Sequence, residues 1–211
     1  MMTEVEIRTA SEQTRKRLLD AAREVFAEHS FQGATVREIC RRAEANVAAV
    51  NYHFGSKDGL LAEALNFASL AALQKANVIA ADCPKERLRL FLREFMLMLL
   101  DEKNASSQCR IMARELADPT PALDKIVREA IAPLHEFLGK LVRDVTGDKV
   151  GEAELRRCVH SIIGQCLFYR HSHPVLQRLH PELRYDRKEI EAIGEHIAEF
   201  SLAGIKYLDK A

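Results

Sequence analysis

The chain has 211 residues, 47% of them hydrophobic and 29% charged, with 31 Lys plus Arg against 31 Asp plus Glu and a formal net charge of zero. Such neutrality excludes a histone-like protein that coats any polyanion through bulk positive charge. The length allows one large or two modest cores, and no stretch approaches the ~18 apolar residues that a membrane span needs.

Residues 1–9 carry three charges and hold no apolar run, so no signal peptide is expected and the expected location is the cytoplasm. From Thr14 to His29, Leu18, Leu19, Ala22, Val25 and Phe26 form one helical stripe, which Ser30-Phe31-Gln32-Gly33 interrupts. Thr35, with Glu38 three residues later, reads as a capping box. Val36, Ile39, Cys40 and Ala43 then repeat at i, i+3, i+4 and i+7, as do Val47, Val50 and Phe54. Each short helix therefore has one face to bury. Asn46, between them, suits an N-cap. The outward positions Ala48, Asn51, Tyr52 and His53 are small or can hydrogen-bond, which a helix made only for packing does not need. Two short helices joined by a tight corner have the layout of a helix-turn-helix, whose second helix lies in the DNA major groove.

Further helices follow by the same period. One runs from Ser56 to about Ala81 through Leu60, Leu61, Ala64, Leu65, Ala68 and Ala71, and another from Pro84 to Asp101 through Leu88, Phe91, Leu92, Phe95 and Leu99. A shorter one spans Ser107 to Ala117. Thr120-Pro121 starts a long helix to Thr146 with a kink at Pro133. Two more, about Glu152 to Arg170 and Asp186 to Leu208, close the chain, Asp186 and Glu189 capping the last. No segment alternates as a strand would. The expected fold is all-α with about nine helices: an N-terminal three-helix domain at 10–57 and a larger helical bundle at 58–211.

Three runs, Arg17-Leu-Leu-Asp-Ala-Ala-Arg-Glu-Val-Phe26, Gly33-Ala-Thr-Val-Arg-Glu-Ile39 and Tyr52-His-Phe-Gly-Ser-Lys-Asp-Gly-Leu-Leu61, closely resemble the DNA-binding domain of TetR-family transcriptional regulators. The resemblance implies an all-helical homodimer that binds a palindromic double-stranded operator and is released by a small-molecule effector, usually as a repressor. It further implies that Thr35 and Arg37 sit at the groove edge, and that Val47, Ala48 and Asn51, following the Asn46 cap, face base edges. Tyr52 and His53 would hold phosphates or the groove rim, Lys57 would meet the backbone as a point charge, and Arg15, Lys16 and Arg17 would reach flanking phosphates. Asn51 can pair with adenine, and Val47 or Ala48 can touch a thymine methyl, which tilts the expected operator toward A·T pairs.

Two positions depart from the family pattern. Glu44 stands at the corner where Gly is common, so either the turn differs or a left-handed backbone costing about 1 kcal/mol is tolerated. Asn51 stands where an aromatic residue is common, which removes a phosphate contact or passes it to Tyr52. Residues 8–57 hold nine Lys or Arg against six acidic residues, an excess that an ordinary solvated surface could also show.

A second resemblance, carried by Met112-Ala-Arg-Glu-Leu-Ala-Asp-Pro-Thr-Pro-Ala-Leu123 and Ile162-Ile-Gly-Gln-Cys-Leu-Phe-Tyr-Arg170, is to the C-terminal domain of the CecR-type subgroup. It supplies no effector. Phe91, Phe95, Met96, Met98, Met112, Phe137 and Phe168 are a candidate pocket lining, although Met and Phe at helical spacing are more often plain core. Arg114 or Gln165, if buried beside them, would orient a ligand. Ile162, Ile163, Cys166 and Leu167, with Ile193, Ile197, Phe200 and Ile205, offer broad faces interspersed with Gly164, Gly194 and Gly204, as a two-fold four-helix interface would require, or as a monomer would bury internally.

Five cysteines, at 40, 83, 109, 158 and 166, show no CxxC spacing and read as reduced core thiols. The histidines at 160, 171, 173 and 180 lack the paired spacing of a zinc site, so no metal and no cofactor is expected. A metal- or pH-responsive regulator is one alternative. Another, a helical protein-protein adaptor, leaves Arg37, Asn51, Tyr52, His53 and Lys57 without a reason. With no phosphate loop, nucleophile elbow or metalloprotease motif, an enzyme is not expected.

Overall fold

The computed structural model describes residues 4–65, 81–100, 102–147 and 150–208, with side chains described outside 4–9, 102–109 and 207–208. In chain order the helices are α1 (Glu4–Gly33), α2 (Val36–Arg42), α3 (Val47–Phe54), α4 (Lys57–Ala64), α5 (Pro84–Leu100), α6 (Glu102–Ala117), α7 (Ala122–Ile126), α8 (Ala132–Thr146), α9 (Glu152–His171), α10 (His173–Leu179) and α11 (Arg187–Leu208). Among the described residues there is no strand, so the all-α expectation holds. Positions 66–80 of the helix expected from Ser56, with Ala68 and Ala71, lie outside the described residues.

Two differences from nine helices have local causes. The long helix expected from Thr120 is α7 and α8 joined by a π-helical turn at Val127–Ile131. Pro133 has no N–H for the helical ladder, and its ring would strike the carbonyl four residues back in a regular helix. The widened turn just before it relieves both problems. The short α10 was missed because Pro174 reads as a breaker, whereas here it stands in the first turn, where its missing N–H costs nothing.

The chain forms two compact units, one from residues 1–66 with 106–128 and the other from 67–105 with 129–211. In the first unit α1 packs against α2, α3 and α4, and α7 packs against α4. Its core joins Leu18, Ala22, Val25 and Phe26 of α1 to Ile39, Val50, Leu60 and Leu61, all essentially inaccessible.

The second unit centres on α5 against α11, flanked by α8 and α9. Leu88, Phe91, Leu92, Phe95 and Met96 meet Ile193, Ile197, Ala198 and Leu202 in one apolar cluster. Each such large side chain contributes about 1.5–3 kcal/mol on burial. The two helices approach so closely that a Cβ at Gly194 would lie 2.9 Å from the Arg93 Cα. Outside the core, Arg89 bridges the pair by reaching Glu195 and Glu199.

Candidate nucleic-acid interface

The segment from Thr35 to Lys57 is shaped by caps that lie within a few residues of one another. Thr35 Oγ1 accepts from the Glu38 N–H at 3.1 Å, the Asn46 side chain accepts from the Ala48 N–H at 2.9 Å, and Ser56 Oγ accepts from the Gly59 N–H at 3.0 Å. Each satisfies a backbone donor that a helix start leaves free. The capping box is only half made, because the Glu38 carboxylate receives Arg41 at 2.7 Å and Arg42 at 2.8 Å instead. These guanidiniums hold the Glu38 carboxyl down at about 2.

At the corner, Ala45 N–H donates to the Cys40 carbonyl at 2.9 Å and Glu44 N–H to that of Arg41 at 3.3 Å. That pair of bonds is a Schellman motif, which requires a left-handed residue between them. Glu44 supplies it with φ of 48°. The family's turn is thus preserved and the side chain bears the strain. The Cys40 thiol, buried, lies 3.7 Å from the Asn46 carbonyl and ties the start of α3 to α2. At the far end a Cβ on Gly59 would lie 2.1 Å from the Phe54 carbonyl oxygen, so only glycine lets α4 start this close to α3.

Held in this way, α3 buries Val50 and Phe54 and presents its other side outward. Val47 is 46% exposed and Tyr52 80%, and Asn46, Ala48 and Asn51 are exposed as well. The apolar stripe expected at 47, 50 and 54 is corrected to Val50 and Phe54, since α3 meets its neighbours only beyond its first turn. His53 is half-buried, its ring 4.8 Å from that of Tyr52. Thr35 and Arg37 are exposed at the start of α2, and Lys16 and Arg17 along α1. Arg15 is placed beside α3, its guanidinium 5.4 Å from the Phe54 ring centre and paired with Glu63.

Lys57 is placed differently from the expectation. Its ammonium donates to the Phe31 carbonyl and stands 4.2 Å from the centre of the Phe31 ring. Desolvation in that position lowers its pKa. The sequence offered no sign of this, since the contact spans 26 residues. Also missed was Arg42, which reaches Glu28 of α1 at 2.7 Å as well as Glu38. That ion pair sets α2 against α1 and removes Arg42 from the cations free to meet phosphate. Among the described residues Lys16 and Arg37 are in no ion pair, which leaves their charge available.

The other candidate sets are rearranged. Phe91, Phe95 and Phe137 do cluster, with ring centres 5.6 and 5.8 Å apart, and Met96 is buried with them. Met112 and Arg114 belong to the first unit, Phe168 is 54% exposed, and Gln165 is half-buried and bonds Ser201 Oγ at 3.3 Å. Arg114 is exposed and donates to the carbonyls of Phe26 and Glu28. The candidate lining residues are therefore divided between the two units, because helical spacing does not say which helix a stripe meets. Of the expected interface, Ile162, Cys166, Ile193, Ile197 and Ile205 are core residues of the second unit, and Ile163 packs against that core. Leu167 is half-buried and Phe200 is 65% exposed. Cys166 is so enclosed that burial pushes its thiol up to about 12. Among the described residues no group of three or more His, Cys, Asp or Glu side chains is arranged to hold a metal ion.

Residues 18–64 match the family described as bacterial regulatory proteins, tetR family. Residues 84–205 match the family described as HTH-type transcriptional dual regulator CecR, C-terminal domain. The chain is 27% identical to the HTH-type transcriptional dual regulator CecR of Shigella flexneri over 88% of each chain. Its fold is similar to that of FadR from Bacillus subtilis, solved with stearoyl-CoA, at 16% identity and a TM-score of 0.69 over 90% of this chain and 98% of that one. It is also similar to that of AibR, solved with isovaleryl coenzyme A and operator DNA, at 18% identity and a TM-score of 0.62 over 86% and 96%.

Proposed function

The chain belongs to the TetR family of bacterial regulatory proteins, with a C-terminal domain of the CecR type, and is a DNA-binding transcriptional regulator; we propose that it acts in the cytoplasm as a homodimeric, ligand-released repressor on a palindromic operator. The observation that carries the proposal is the outward side of α3. Val47, Ala48, Asn51 and Tyr52 are exposed on a helix whose other side is locked by Val50, Phe54 and two caps. Asn51 contacts an adenine edge and Val47 or Ala48 a thymine methyl, while Arg37, Lys16 and Arg17 supply charge for phosphates.

A single short helix reads too few base pairs for a specific site, and a two-fold pair reads two half-sites about one helical turn apart. The dimer forms through the exposed side of α9 and α11, where Phe168 and Phe200 stand out at 54% and 65% and Gly164 and Gly204 have open space above them. Large exposed aromatics beside small residues suit close helix packing with a second copy. The effector binds in the second unit near the Phe91, Phe95 and Phe137 cluster. It prefers the conformer whose recognition helices are wrongly spaced for consecutive major grooves, so binding shifts the population away from DNA.

The relative matched over 88% of its length is named a dual regulator. That name favours a second reading, in which the same dimer also activates at some promoters. Footprinting across the DNA beside the protein's own gene, with and without apolar effectors, tests the proposal. A protected palindrome lost on effector addition is expected, and protection of no two-half-site sequence would overturn it.

A further inference from the structure

We propose that Arg114 is a positioning residue for DNA reading, fastening the end of α6 to the end of α1 so that the spacing of the reading helices is held. The proposal rests on the two-fold reading above. α1 breaks at Ser30, where φ is 62°, and carries no Lys or Arg in its last turn. Its last carbonyls must therefore find donors elsewhere. Arg114 Nη1 donates to the Phe26 carbonyl at 3.2 Å and Nη2 to that of Glu28 at 3.4 Å. Directly after α6, Asp118, whose N–H donates to the Arg114 carbonyl at 2.8 Å, accepts from Gln32 Nε2 at 2.9 Å. That backbone bond keeps Asp118 on the helix face of Arg114, four residues back, so both side chains address the same end of α1.

The strap is backed and extended on both sides. Glu115, only 3% exposed, accepts from the N–H and the hydroxyl of Thr120, each at 2.7 Å. That clasp sets the turn into α7, which packs on α4. Glu28 carries the connection onward, because its carbonyl takes Arg114 while its carboxylate takes Arg42 of α2. Five residues beyond Ser30 stand Thr35 and then Arg37, at the start of α2. A cleft of about 380 Å³ opens beside these bonds, with Phe26, Phe31, Leu61 and Ile111 in its wall. Apolar packing is therefore incomplete there, and directional polar bonds set the orientation. Arg114 and Asp118 are thus side chains by which the segment 106–128 is bonded to α1.

The test uses the full chain and a two-half-site duplex that the wild type selects from a random pool. Affinity is measured for that duplex and for versions with one base pair added or removed between half-sites, alongside Tm and the dependence on salt. Arg114→Ala is expected to weaken binding by about twofold to thirtyfold and to shrink the penalty for altered spacing, with the slope of log K against log salt unchanged. Arg114→Lys, which returns one donor and the charge, should recover part of both. Asp118→Ala, which removes only the Gln32 bond, should move the spacing preference the same way by less, and it carries the test if Arg114→Ala does not fold. A purely stabilising role would lower Tm and leave the spacing preference intact, which would overturn the proposal. So would a salt slope reduced by about 0.9, the mark of a lost phosphate contact. A wild type indifferent to spacing would overturn the two-fold reading itself, and the proposal with it.

Discussion

The Lys57 ammonium stands 4.2 Å from the centre of the Phe31 ring and donates to the Phe31 carbonyl, so the first residue of α4 closes the end of α1. In that place it stabilises the fold of the reading domain. Lys57→Ala is expected to lower stability by about 1–2 kcal/mol, the scale of one charged hydrogen bond with a cation–π contact at a half-buried site. Denaturant melts check this. DNA affinity should then fall with little change in salt slope, and a slope change near 0.9 would mean that Lys57 leaves Phe31 for a phosphate in the complex.

Asn51 is the exposed residue of α3 best suited to a bidentate base contact. Asn51→Ala is expected to cost about 1–3 kcal/mol at one base pair of each half-site and to relax preference there alone. Binding measured across all single-base variants of the selected duplex gives the result. A uniform loss at every position would remove Asn51 from base reading.

Glu44 occupies a left-handed backbone position, with φ of 48°, where a Cβ is unfavourable by about 1–2 kcal/mol. Glycine avoids that cost but gains freedom in the unfolded chain. The net expectation for Glu44→Gly is a gain of about 0.5–1 kcal/mol, read as a higher denaturant midpoint with DNA affinity preserved. A destabilised Glu44→Gly variant would show that the Glu44 side chain contributes something its exposed position does not suggest.

The Glu38 carboxyl is held at about 2 against an ordinary 4.5 by hydrogen bonds from Arg41 and Arg42. A carboxyl with a depressed folded-state pKa contributes stability that is present above the unfolded value and lost as pH falls toward the folded one. The contribution should therefore fade between about pH 4.5 and pH 2. Tm measured over that range should fall less steeply in Glu38→Gln than in the wild type. Parallel curves would show that the arginines do not hold Glu38 in solution.

The reading domain was legible because its signals are local. Thr35, Asn46 and Ser56 cap helices that begin at the next residue, and Val50 with Phe54 shows the buried side of α3 within one turn. The positive φ at Glu44 was already an open possibility once glycine was missing from the corner. What could not be read were choices of partner between distant segments. Ile162, Cys166, Ile193 and Ile197 looked equally suited to a second copy or to an interior, and their burial follows from α11 packing on α5, with Gly194 against Arg93, and from α9 packing on α5, α8 and α11. The division of the candidate pocket residues between units could not be read for the same reason. Arg114 and Phe137 lie 23 residues apart on similar stripes and belong to different units.

By itself the sequence determined most of the helices, the caps at Thr35 and Asn46, the exposed side of α3 and the family, because each depends on contacts within three or four residues or on a short motif. Only the tertiary structure decided that Lys57 turns inward to Phe31, that Arg42 joins Glu28 rather than phosphate, and that Arg114 holds the end of α1. Those pairings span 14 to 88 residues. They are settled by which helices pack together, and a helical period carries no information about that.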